Sequence, residues 1–188
     1  MVSDGSPLSA CAGVSVVKAK YPFYRAYRLA EELCSNAKRS ARKHGGSWID
    51  FHLASGGRSG SLGELRDWHY TVAQGSLLKR PYALTQTCKK EYLFSKMIKA
   101  TADLFGAGIE GTGLPNSKLH EFREVLAQEE AAGSRFVLEQ RNRGRLQDTA
   151  YDKLFEAVDG VACTRFFDMI EMTELYPLFR FAEEIGHD

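Results

Sequence analysis

Asp50 and His52 stand two residues apart in SWIDFHLASGG. On a strand, that spacing puts both side chains on one face, where a carboxylate and an imidazole can be offered to a metal ion or a nucleotide. Two ligands do not complete a site, and the pair equally fits two residues on the less buried face of a sheet. Lys18 and Lys20 close an earlier apolar run, LSACAGVSVVK, either as cations near a phosphate or as solvated lysines at a strand end. A third candidate is rich in glycine: GAGIEGTG, residues 106–113, contains Gly-x-Gly-x-x-Gly. In a dinucleotide fold that pattern follows a buried strand and opens a helix. Here it follows a segment in which Tyr92, Leu93, Met97, Ile98, Thr101, Leu104 and Phe105 recur at helical spacing, and it precedes Leu119, Phe122, Val125 and Leu126 at the same spacing. The glycines therefore read as a joint between two helices.

Two basic runs carry charge that nucleic acid would complement. AKRSARKH, residues 37–44, ends a predicted helix, where cations suit the negative end of the dipole. RFVLEQRNRGR, residues 135–145, sets Arg135, Arg141, Arg143 and Arg145 against Glu139, and suits RNA phosphates or an acidic partner surface. Cys11, Cys34, Cys88 and Cys163 lie far apart, with no Cys-x-x-Cys pair and no His at zinc-ligand spacing, so they read as free thiols in a reducing cytoplasm. No Ser-His-Asp or Cys-His catalytic pattern is recognisable in the sequence.

These residues need elements to position them. The chain has 188 residues, 44% of them hydrophobic, enough for one core or a small core beside a helical annex. With 25 Lys plus Arg against 24 Asp plus Glu, the net charge demands neither nucleic acid nor an anionic membrane, and no window reaches the length of a membrane span. The pattern predicts an α+β fold. Residues 8–17 and 47–54 read as strands, with Leu8, Ala10, Ala12, Val14 and Val16 on one face of the first and a glycine that implies close packing against a helix or ligand. Residues 22–41 read as the connecting helix, with Phe23, Ala26, Tyr27, Ala30, Leu33, Cys34 and Ala37 along one stripe. A hairpin is expected over 64–83, ELRDWHYTV and SLLKRPYAL around Ala73-Gln74-Gly75, and then five or six helices over 86–185. The expected division is a domain over 1–84 and an all-helical one over 85–188.

The run AGVSVVKAKYPFYRAYRLAEELCSNAKRSARKHGGSWIDFHLASG resembles the second half of the palm domain in the large polymerase/cyclase-like subunit of type III CRISPR effector complexes. KRPYALT, LPNSKLHEFREVL and FFDMIEMTELYPL are similar to that family's later pieces in the same order, so the resemblance spans residues 8 to 180. It implies a partial ferredoxin-like palm followed by a helical module. It also implies a cytoplasmic role in antiviral defence, with other effector subunits as partners and RNA contact through the complex. Lys20 with Pro22 matches the family's Lys-x-Pro turn, which would bring Lys20 toward a triphosphate beside Asp50 and His52.

The family's metal site depends on a Gly-Gly-Asp-Asp hairpin ahead of the Ala-Gly strand, and this sequence contains no such tetrapeptide. Without two clustered carboxylates the divalent ions that polarise ATP lack an anchor. The resemblance thus implies a chain without catalytic residues of its own, which meets ATP and divalent metal only with the missing palm half. The chain reads as a C-terminal portion of a longer protein, a truncated product or one half of a split one. A homodimer through an open sheet edge, and an independent nucleotide binder with a site around Lys20, Asp50 and His52, are the alternatives.

Overall fold

The computed structural model describes residues 8–54, 60–86, 88–104, 113–146 and 153–175. Contacts divide them into two compact units. One takes the chain up to Trp68 and again Arg80–Lys96; the other takes His69–Lys79 and the chain from Met97 onward.

The first unit is built on β1 (Cys11–Val17), α1 (Phe23–His44) and β2 (Trp48–Ala54). The two strands pair in parallel from Cys11↔Trp48 to Val17↔Ala54, and β5 (Tyr82–Ala83) adds to the far side of β2 in the antiparallel sense. The order β1-β2-β5 leaves β1 at an edge. Gly13 decides how closely α1 lies on this sheet. A Cβ at that position would meet the Ala30 carbonyl oxygen and the Cys34 amide nitrogen, each at 2.3 Å. Ser15 Oγ donates to the Ala26 carbonyl at 2.9 Å, on the same line of approach. Only small side chains fit such a gap, and Ala26, Ala30 and Cys34 are the ones that occupy it.

That closeness corrects the expected apolar stripe of α1. Leu29, Leu33 and Ala37 are buried, but Phe23 and Tyr27 point to solvent because their rings have no room against β1. The helix ends with Arg42, Lys43 and His44 in its last turn, where cations favour the dipole, and at Gly45, whose φ of 76° suits a residue without Cβ. Trp48 Nε1 donates to the Gly45 carbonyl at 2.6 Å and shares a ring cluster with His44 and Tyr92.

The expected 64–83 hairpin is also corrected. Its first arm is a helix, α2 (Leu62–Tyr70), because Ser61 and Glu64 form a reciprocal capping box: Ser61 N–H donates to Glu64 Oε2 at 2.8 Å, and Glu64 N–H to Ser61 Oγ at 3.3 Å. The Ser61 N–H and then its hydroxyl hold the Glu64 carboxyl below its usual range. Glu32 of α1 accepts the Leu62 N–H at 2.5 Å, and Leu62 and Leu65 pack on Leu29 and Leu33. The turn falls where expected, but the hairpin shrinks to β3 (Thr71–Val72) and β4 (Gly75–Ser76).

The second unit contains those two strands, most of α3 (Phe94–Leu104), then α4 (Asn116–Ala127), α5 (Glu130–Asn142), β6 (Glu156–Val158), β7 (Val161–Cys163) and α6 (Phe166–Leu175). The α+β class stands, and helices carry most of the described residues after Lys90. The reading of 85–188 as helical throughout is corrected by β6 and β7, which turn on Asp159-Gly160, both at positive φ, and join β3 and β4 in the order β3-β4-β7-β6. Phe122, Phe136 and Phe166 centre the core of this unit, the first two rings stacked 5.0 Å apart. Residues 105–112, with most of the Gly-x-Gly-x-x-Gly stretch, lie outside the described residues; α3 before them and α4 after them are helices, as read. None of the described helices is long and apolar enough to cross a membrane.

Gly13→Ala is expected to destabilise the chain by at least about 1–3 kcal/mol, because the clash is with backbone and α1 must move to relieve it. Urea unfolding followed by circular dichroism checks this; an unchanged midpoint would mean that α1 is not seated as described.

Candidate functional site

Asp50 lies on the face of β2 that α1 covers, in register with Gly13, and is fully buried. Its carboxylate accepts four hydrogen bonds. Asn36 Nδ2 and Arg66 Nη1 reach Oδ2 at 2.7 and 3.1 Å; Arg66 Nη2 and the Phe51 N–H reach Oδ1 at 2.7 and 2.9 Å. An ionised carboxylate offers about four lone-pair sites. Those of Asp50 are filled from protein, so it ties α1, α2 and β2 together rather than presenting an oxygen to a metal or nucleotide. The Phe51 carbonyl beside it accepts from Arg66 Nη2 at 3.2 Å and Arg80 Nη1 at 2.7 Å, and the Arg80 guanidinium lies 4.2 Å from the centre of the Phe51 ring.

His52 shares the helix-covered face, in register with Ser15, and is buried like Asp50. Lys20 stands elsewhere, exposed in the turn between β1 and α1. The structure therefore brings Asp50 and His52 together under the helices and leaves Lys20 outside with Lys18. Between α1 and the start of α2 runs a groove of about 530 Å³ lined by Arg28, Glu32, Asn36, Arg39 and Arg66. Its natural anion position, the N-terminus of α2, is held by Glu32. Among the described residues no three of His, Cys, Asp or Glu converge as a metal requires.

The second basic run is partly engaged. Arg143 Nη2 pairs with Glu139 at 2.7 Å and Arg145 Nη1 donates to the buried Gln140 side chain at 3.1 Å. Arg141 is half-buried in the last turn of α5, and Arg135 is exposed, with Nε 3.4 Å from the Ala131 carbonyl. An exposed pair such as Arg143–Glu139 holds weakly, at about 0–1 kcal/mol.

Sequence reasoning passed over a cluster in the second unit. Asp168 and Glu171 on α6 are buried within FFDMIEM. Asp168 Oδ2 accepts the Lys79 N–H at 2.9 Å; Tyr70 Oη donates to Glu171 Oε1 at 2.7 Å. Arg123 of α4 lies 3.8 Å from Glu171, 2.9 Å from Glu174 and 4.8 Å from the Phe167 ring centre. The Lys79 ammonium pairs with Glu156 at 3.3 Å. The signal was present: two carboxylates three residues apart inside an apolar run must find buried partners. Next to them burial pushes the Cys163 thiol up to about 11, Lys79 opposing and Asp168 and Glu156 adding.

Asp50→Ala strands the Arg66 guanidinium and is expected to cost about 3–5 kcal/mol in chemical unfolding, whereas Lys20→Ala leaves the midpoint within about 0.5 kcal/mol. A neutral or stabilising Asp50→Ala would return Asp50 to the list of ligand-binding residues. For Cys163, the thiolate is the reactive form, so alkylation at pH 8 is expected to label Cys11, Cys34 and Cys88 well before it, as peptide mass spectrometry would record. A raised folded-state value also means that this group's contribution to stability is lost as pH rises from about 9 toward 11.

No protein-family model matches the chain, and no curated protein matches it.

Proposed function

We propose that the chain is a non-catalytic portion of a type III CRISPR large subunit, acting in the cytoplasm in antiviral defence. It contributes half of a nucleotide-binding palm and a helical module that packs against neighbouring effector subunits. The observation that carries this reading is the free edge of β1. Seven residues long and nearly without charge or bulk, β1 pairs with β2 on one side alone among the described residues, and Val14 is 42% exposed. Such an edge offers its N–H and C=O groups to an added strand, which suits a palm completed by another segment.

The residues of this chain do not fit the family's metal ions by themselves. Asp50 spends its acceptors on Asn36, Arg66 and Phe51, and the Gly-Gly-Asp-Asp pair is not in the sequence. The same saturation counts against an independent nucleotide binder centred on Lys20, Asp50 and His52. ATP and divalent metal then belong to the completed palm.

The test supplies a palm half bearing Gly-Gly-Asp-Asp in trans. Expected are co-sedimentation with this chain, binding of magnesium-ATP by the mixture, and neither ATP binding nor oligoadenylate synthesis by the chain alone. Val14→Lys should weaken the association at least about tenfold by placing a charge at the edge. ATP binding by the isolated chain, or a monomer indifferent to both the added half and Val14→Lys, would overturn the reading; self-association abolished by Val14→Lys would assign the edge to a homodimer instead.

A further inference from the structure

The first two turns of α1 carry an aromatic surface that the reading above does not use. Phe23 is 81% exposed, Tyr24 66% and Tyr27 58%. Residues four apart on a helix are neighbours, so Phe23 and Tyr27 form one row and Tyr24 and Arg28 the next. Ala26 and Ala30, their neighbours along the helix, lie against β1, while the three rings stay exposed at the start of α1. The Arg25 guanidinium lies 5.6 Å from the Tyr24 ring centre, and its Nε donates to Tyr24 Oη at 2.9 Å, which fixes that ring. Lys18 and Lys20 are exposed on the turn leading in, and the Arg28 side chain is largely exposed. The acids close by are committed: Glu31 accepts the Tyr27 hydroxyl, and Glu32 holds the Leu62 N–H and Arg28.

We propose that Phe23, Tyr24 and Tyr27, framed by Lys18, Lys20, Arg25 and Arg28, form a binding surface for single-stranded nucleic acid. Flat rings with open faces stack on unpaired bases whatever their identity, while the cations around them follow the phosphates. The combination favours this occupant, since an acidic peptide would use the cations alone and an apolar peptide the rings alone, whereas unpaired bases take the ring faces and phosphates the cations. The surface uses residues of α1 and the turn before it and none of β1, so its failure and the failure of the palm reading are read out by different variants.

Fluorescence anisotropy of the full chain tests it, with labelled oligouridine and oligothymidine of about 12 nucleotides, and a duplex of equal length, at about 50 mM KCl. Both single strands are expected to bind, the duplex at least about tenfold more weakly; preference for one single strand identifies RNA or DNA as the source. The triple variant Phe23→Ala, Tyr24→Ala, Tyr27→Ala should lose about 10- to 100-fold in affinity with its circular dichroism spectrum unchanged. Lys18→Ala with Lys20→Ala should flatten the slope of log affinity against log salt by about 1.4, two phosphate contacts at about 0.7 each. Absence of binding by the unmodified chain overturns the proposal. So does equal affinity for the duplex, or binding that survives the aromatic variant and disappears with Arg135→Ala, Arg141→Ala and Arg143→Ala.

Discussion

Beneath α1 and α2 a carboxylate is tolerated because each of its acceptor positions is met. Removing an ion from water costs several kcal/mol, and Asp50 offsets that through a two-pronged bond to Arg66, an amide from Asn36 and the Phe51 N–H. The neighbouring carbonyl draws in Arg80, so two adjacent residues of β2 receive side chains from α1, α2 and the segment that leads into β5. The seats of α1 and α2 on β2 and the position of Arg80 are therefore conditions of one another. What looked like a ligand set is a structural knot.

The opposite flank of the same helix obeys a steric rule. Gly13 brings α1 within backbone contact of β1, which admits alanines and expels rings. One glycine thus explains both the tight layer and the aromatic surface outside it, since an amphipathic helix that loses part of its apolar stripe to close approach must show those side chains to solvent or to a ligand.

The β1-α1-β2 unit was legible because alternation in SWIDFHLA, the helical stripe with its small residues and the His44-Gly45-Gly46 stop agree with one another. Helix α2 was not, since its strongest start signals are a four-residue capping box and a carboxylate thirty positions earlier, while ELRDWHYTV also permits a strand reading. The β6–β7 hairpin hid in a short stretch whose cue is Asp159-Gly160. For the candidate site, residue types were readable and roles were not. Asp50 was conspicuous, but its commitment depends on Arg66, and partnership between side chains that far apart is a tertiary fact. The acids of α6 were readable in principle, because a charge in an apolar helix announces a partner without naming it.

The chain enters the second unit at His69, leaves it after Lys79 and returns at Met97. Neither unit is a continuous stretch of sequence. A fragment starting at Met97 would lack β3 and β4, and with them half of the four-stranded sheet in which β4 pairs with β7. A single crossover after Lys96 carries the first unit whole but takes His69–Lys79 with it, and one before His69 carries the second whole but takes Arg80–Lys96 with it, so neither unit can be moved without a piece of the other.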